Sequence, residues 1–202
     1  MNPTSFIELR DRFNLGESFK FLHFWGHQAP ASGLITKSCL SQWYDAPFEA
    51  KGIIYRTAEH FMMASKARLF NDKIALNKIL SASNPGAAKA FGREITGFIE
   101  KTWDHQRFDV VIQANCLKFS QHPSLHEFLL RTGDQILVEA SPTDRIWGIG
   151  LSSTDPNADN PNHWKGDNLL GFALMSVRGQ LGASPRPSVF KELSPANPAP
   201  AP

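Results

Sequence analysis

A mainly helical α+β fold, compact and with a few short strands, is predicted by three observations. Helical periodicity recurs from residue 57 to residue 133 with almost no interruption. The strand-like runs are few, and they do not alternate with the helical ones in the order that a doubly wound sheet requires. The chain has 202 residues, 42% hydrophobic and 20% charged, enough to bury one ordinary core.

Phe19 to Trp25 reads as an aromatic-rich strand, Gly52 to Arg56 as a second short one, and the chain around Leu40 to Phe48 as a third. At Thr57 the period changes. Thr57 is a good N-cap, and the run from Ala58 to Phe70 sets Phe61, Met62, Ser65 and Leu69 on one side of a helix. Asn71 or Asp72 caps the next helix, in which Ile74, Leu76, Ile79 and Leu80 are apolar. Asn84-Pro85 pairs a cap with a first-turn proline and opens a short helix to Arg93. A longer helix spans roughly Trp103 to Gln121, with Phe108, Val111, Ile112, Asn115 and Phe119 at helical spacing. Another helix starts at Pro123 and stops at Gly133. Gln135 to Ala140 is a strand, residues 151–165 form a polar loop, and Asn168 to Leu181 is a final amphipathic helix.

This divides the chain into an N-terminal extension (1–17), one folded domain (18–182) and a proline-rich tail (183–202). Pro185, Pro187, Pro195, Pro198, Pro200 and Pro202 forbid a regular ladder in that tail, which is expected to be extended or disordered. The formal net charge is +2, with no dense basic stripe to demand nucleic acid. Cys39 and Cys116 are too few for a disulfide framework or a structural zinc site. The first ten residues carry charges where a secretory signal needs an apolar run, and no stretch is apolar enough to span a membrane. A cytoplasmic enzyme or binding module is expected, with no cofactor. Metal is not expected either, since the seven histidines are scattered and the His122/His126 pair straddles a helix start.

Three segments carry candidate chemistry. Glu59 is the second residue of its helix, where free N–H groups and the helix dipole favour a carboxylate by roughly 0.3–1 kcal/mol. Position alone therefore explains it as a helix-start acid without a role, although Lys66, two turns on, lies on the same face and the two would flank one pocket. Glu139, Asp144, Trp147, Gly148 and Gly150 cluster where a buried strand ends. Glycines there permit tight turns or close approach to a ligand, and a plain hairpin with a core tryptophan is the competing reading. In Trp164-Lys165-Gly166-Asp167-Asn168, backbone N–H groups ahead of a helix would suit an anion, or Asn168 is an ordinary cap. Trp103, seen singly, reads as core.

Taken in order, these motifs resemble the NADAR (YbiA-like) family. Thr57-Ala-Glu59-His60-Phe-Met-Met-Ala-Ser-Lys66-Ala matches its helix motif, followed by Lys101-Thr-Trp103, Leu117-Lys118-Phe119, Leu137-Val-Glu139-Ala and Asp144-Arg-Ile-Trp147-Gly148-Ile-Gly150. Gly166-Asp-Asn168-Leu-Leu-Gly171 and Leu174-Met-Ser-Val-Arg178 complete the series, from about Phe21 to Leu181. Ser41-Gln42-Trp43 stands where the family has Ser-Asn-Phe/Trp, with Gln42 replacing the asparagine.

The resemblance implies a YbiA-like fold and hydrolysis of an N-glycosidic bond on a ribose phosphate. The substrate implied is a phosphoribosylaminopyrimidine intermediate of riboflavin synthesis. The alternatives are removal of ADP-ribose from guanine in nucleic acid, and a non-catalytic module that binds ADP-ribose. Breaking a ribosyl C–N bond builds positive charge on the sugar, which a carboxylate stabilises while taking a proton from water. Glu59 is assigned that role, with Asp144 or Glu139 orienting water or binding ribose hydroxyls. Trp103 or Trp147 would stack on the base, Trp43 and Gly148 would contact the substrate, and Lys66, Arg93, Lys118 or the N–H groups near Asn168 would hold the phosphate.

Overall fold

The computed structural model describes residues 2–183, and the proline-rich segment from residue 184 onward lies outside the described residues. Among the described residues there are seven α-helices and four short strands. The order is α1 (Phe6–Asn14), β1 (Phe21–Phe24), a 3-10 turn (Lys37–Leu40), β2 (Phe48–Ala50), β3 (Ile53–Tyr55), α2 (Ala58–Leu69), α3 (Lys73–Leu80) and α4 (Pro85–Arg93). Then come α5 (Glu100–Gln121), α6 (Pro123–Arg131), β4 (Ile136–Glu139), a second 3-10 turn (Pro161–His163) and α7 (Leu169–Ala183). The α+β class read from the sequence is the class observed.

Local chemistry explains most boundaries. Thr57, Asp72 and Asn84 each cap a helix by accepting an N–H on the side chain, and Pro85 and Pro123 occupy first-turn positions. Where the sequence suggested one strand near residues 40–48, the chain instead makes the first 3-10 turn and then β2. β2 and β3 form a hairpin whose turn residues, Lys51 and Gly52, both have positive φ (51° and 76°), as a twisted two-residue hairpin turn requires. The long helix begins at Glu100, one turn before Trp103. Residues 6–14 are helical; Leu9 is fully buried and the Phe6 ring stacks on Trp164 at 5.9 Å.

β1 and β4 pair in parallel, with Phe24 opposite Glu139, so both strands end on the same side of the molecule. α7 lies directly on β4; a Cβ on Gly171 would come within 2.0 Å of the Leu137 carbonyl, which is why that position carries no side chain. α5 packs between α2 and α7, and α2 also bears on α3 and α4. The first turn of α2 thereby comes to rest beside the carboxyl ends of β1 and β4.

Candidate active site

Three carboxyl groups from three elements meet there. Glu59 comes from the first turn of α2, Glu139 from the last residue of β4, and Asp144 from the loop that follows it. They line one cavity of about 420 Å³, whose walls also hold Trp25, Trp43, Trp147, Gln42, His27 and Lys89. Glu59 is only 2% exposed, and its backbone N–H donates to the Gln42 carbonyl at 3.0 Å. That bond ties the helix start to the Ser41-Gln42-Trp43 segment. Asp144 builds its own loop: its Oδ1 accepts the N–H groups of Ile146 (2.9 Å) and Trp147 (2.8 Å), fixing Trp147 against the cavity. Gly148 belongs to the same turn. A Cβ there would lie 2.7 Å from the Glu139 carbonyl, so its role is close backbone packing.

The carboxyls are short of hydrogen bonds. Glu59 Oε1 and Glu139 Oε2 are buried with no partner. Burial pushes the Glu59 pKa up to about 7, opposed by the charge of Lys89 and by the Trp43 side chain, which hydrogen-bonds the carboxylate. Glu139 is pushed up to about 8 by burial, and further by the charges of Asp144 and Glu59. Three acids around one cavity therefore hold at least one proton near neutrality, leaving both a proton donor and a proton acceptor in reach. Lys89 is the cation that faces them.

The other residues singled out in the sequence sit elsewhere. Lys118 does not reach the cavity: it is fully buried and its ammonium donates to the carbonyls of Cys39 (2.6 Å) and Ser41 (2.9 Å). Asn168 is no anion site. Its side chain accepts the Glu139 N–H and donates to the Leu137 carbonyl, both at 2.9 Å. The backbone N–H groups of residues 167–170 are all committed to loop carbonyls between Arg145 and Gly148, so none is left for a phosphate. Lys66 caps the carbonyl end of α4 through Gly92 (2.8 Å) and sits 4.1 Å over the Phe98 ring, with Trp103 on its other flank. Trp103 is itself core, at 8% exposed. Arg93 is exposed at the end of α4 and acts on Glu59 only through its charge.

Sequence reasoning passed over Lys89, Trp25 and His27. Lys89 lies one turn before Arg93 on the same face of α4, so the helical phase that suggested Arg93 points to Lys89 as well. Trp25 and His27 follow β1 without regular structure, and only the parallel pairing with β4 brings them to the acids. A second cavity of about 380 Å³ adjoins the first across Trp43 and His27, and is lined by Tyr44, Asp45, Arg56, His60 and Asn84. Burial lowers the His60 pKa and so favours the neutral ring. Its Nε2–H donates to the Ala82 carbonyl at 3.2 Å, which leaves Nδ1 to accept from the Thr57 hydroxyl. Among the described residues no group of three or more His, Cys, Asp or Glu side chains is arranged to hold a metal ion. No helix there is long and apolar enough to cross a membrane.

Comparison with known proteins places this arrangement. Residues 23–182 match the NADAR domain. The chain is 40% identical over 167 residues to N-glycosidase R617 of Acanthamoeba polyphaga mimivirus, covering 80% of this chain and 96% of that protein. It is 33% identical over 135 residues to N-glycosidase YbiA of Escherichia coli, covering 67% and 76% respectively. The solution NMR structure of E. coli YbiA superposes with a TM-score of 0.65 at 28% identity, covering 82% of this chain and 87% of that one. The fold and its relatives define an enzyme of the N-glycosidase class. Within that class, the chain belongs to the NADAR family.

Proposed function

We propose that the cavity hydrolyses the C–N bond between a phosphorylated ribose and a nitrogen base, with a phosphoribosylaminopyrimidine intermediate of riboflavin synthesis as substrate. The observation that carries this reading is the convergence of Glu59, Glu139 and Asp144 on one tryptophan-lined cavity. As the C–N bond breaks, the ribose becomes cationic, and the Glu59 carboxylate faces that charge. Water adds its oxygen to the anomeric carbon and gives its proton to Glu59. The departing nitrogen keeps the bonding pair and takes a proton from Glu139, the acid with the higher pKa. Asp144, already oriented by two backbone N–H groups, binds ribose hydroxyls. Trp147 and Trp43 present ring faces to the flat base. Lys89 holds the phosphate, the part given to Lys66, Arg93, Lys118 and the Asn168 turn in the sequence reading.

The adjoining cavity favours a second reading, removal of ADP-ribose from guanine, since it offers room and a cation, Arg56, for a substrate larger than one phosphoribosyl group. A silent ADP-ribose-binding module would be favoured by Glu59 and the Asp144 cluster lying too far apart to share a pocket, and both line the same cavity.

The test incubates pure protein, with a chelator, on the phosphoribosylaminopyrimidine and on an ADP-ribosylated guanine oligonucleotide, and follows release of the base. Release from the pyrimidine substrate alone supports the first reading, and release from the oligonucleotide alone supports the second. Release from neither refutes both and leaves the binding module.

A further inference from the structure

Lys118 is completely enclosed, yet among the described residues it joins no ion pair. A buried cation without a counter-ion is costly, and an apolar side chain of the same volume would fill the space with less penalty. Its ammonium is used instead on backbone, at the carbonyls of Cys39 (2.6 Å) and Ser41 (2.9 Å). Those carbonyls belong to a 3-10 turn and the irregular chain after it; the Ser41 carbonyl also accepts the Tyr44 N–H at 3.3 Å, whereas the Cys39 carbonyl is met by the ammonium.

Asn115, one turn earlier on α5, is equally enclosed. Its amide nitrogen donates to the Val111 carbonyl (2.9 Å) and to Gln42 Oε1 (2.8 Å). A carbonyl can only accept, so Val111 fixes which way the Asn115 amide faces, and the Gln42 amide follows from it. The Gln42 carbonyl then takes the Glu59 N–H at 3.0 Å. One chain of bonds therefore runs from α5, through residues 39–42, to the first turn of α2.

We infer that Lys118 and Asn115 are positioning residues for the reaction: they fix residues 39–42, and through the Gln42 carbonyl the start of α2, so that the Glu59 carboxyl is held against the cavity. The inference rests on Glu59 being the carboxylate that reacts. Catalysis is sensitive to such placement, since an error of about 1 Å is worth about a hundredfold in rate.

The test uses Asn115→Leu and Lys118→Met. Two quantities are measured: turnover per folded molecule on the phosphoribosylaminopyrimidine well below the unfolding midpoint, and titration of the Glu59 carboxyl by 13C NMR, its signal assigned by loss in Glu59→Gln. Positioning predicts a kcat lower by about tenfold or more with KM within about threefold, because only the transition state senses the displacement. It also predicts a Glu59 midpoint moved down from about 7, as the loosened acid gains water. A lowered melting temperature with wild-type kcat and an unmoved midpoint would overturn the inference and leave a purely structural role. A raised KM at unchanged kcat would overturn it in favour of direct substrate contact. Asn115→Leu keeps both Lys118 bonds, so it answers the question even if Lys118→Met does not fold. The titration needs no turnover, so an inactive wild type with a displaced Glu59 midpoint in the variants counts against the proposed reaction and for the positioning.

Discussion

Charge is buried in two regions of this fold, and the two treat it in opposite ways. Where α5 and α7 meet the rest of the core, Lys118 gives its ammonium to two carbonyls, and Arg178 gives one nitrogen to Thr132 Oγ1 (2.7 Å) and the Gln135 carbonyl (2.9 Å). Arg178 keeps one unpartnered nitrogen, but both cations are anchored by oxygens that cannot move away. At the cavity wall, Glu59 Oε1 and Glu139 Oε2 are enclosed with nothing to accept from. Leaving a buried polar atom unpaired costs about 1–3 kcal/mol, so a fold tolerates it where the atom has other work. The difference separates charge that holds the chain together from charge left short of partners beside a cavity.

Glu59→Gln presses hardest on that contrast. Gln keeps the volume and removes the negative charge, so kcat should fall by about a hundredfold or more, the scale of losing a general base. Stability should move the other way. The folded pKa of about 7 lies above the ordinary carboxylate value of 4.5, so wild type binds the proton more tightly when folded. Its stability is full below that ordinary value and declines as pH rises through the folded one. The variant should therefore melt higher than wild type in alkaline buffer and no higher in acid. A variant that loses activity and also melts lower at every pH would place Glu59 among the structural charges.

Asn168→Ala strikes the opposite kind of group. Asn168 sits at φ 53° and spends both halves of its amide on β4, at the Glu139 N–H and the Leu137 carbonyl. Alanine leaves two buried backbone groups unpaired and strains the turn, for a cost of about 3 kcal/mol in denaturant unfolding. Loss of less than about 1 kcal/mol would mean that water replaces the clamp.

How much of this was readable in advance follows the same division. Helix starts were legible because Thr57, Asp72 and Asn84 act on the next three residues of their own chain. Glu59, Glu139, Asp144, Trp43 and Trp147 could be nominated from resemblance, and the structure brings all of them to one cavity. Lys118, Asn168 and Lys66 could not be sorted, because a donor bound to a carbonyl 26–79 residues away looks in sequence like a donor free to bind phosphate. Trp25 escaped for a related reason. Its place at the cavity depends on β1 pairing with β4, more than a hundred residues later.

Glu139→Gln separates the two carboxyls of the cavity. Burial and the neighbouring charges of Asp144 and Glu59 hold the wild-type acid up at about 8, so its penalty is complete only above that pH. The variant should gain about 2 kcal/mol of stability over wild type in buffer above that midpoint, with the gain fading as pH falls towards the ordinary carboxylate range. Glu139 still holds its proton while Glu59 ionises, so replacing it with neutral Gln should leave the Glu59 midpoint near about 7. A pH-independent gain would show that Glu139 does not titrate in this range.

The smallest effect is expected at Lys66, which lies between the two classes. Its ammonium is half-buried, bonded once to the Gly92 carbonyl at 2.8 Å and placed 4.1 Å over the Phe98 ring. Burial lowers its pKa, with the charge of Arg93 adding to the effect. Met keeps the apolar stem against Trp103 and removes one hydrogen bond and one cation–π contact, a loss of about 1 kcal/mol. Since Lys66 points to the far end of α4, away from the acids, kcat and KM should stay within about twofold of wild type. A KM raised by about tenfold with stability unchanged would make Lys66 a substrate-phosphate ligand after all. It would also show that a single bond to a helix carbonyl leaves an ammonium free enough to bind, whereas the double anchoring of Lys118 does not.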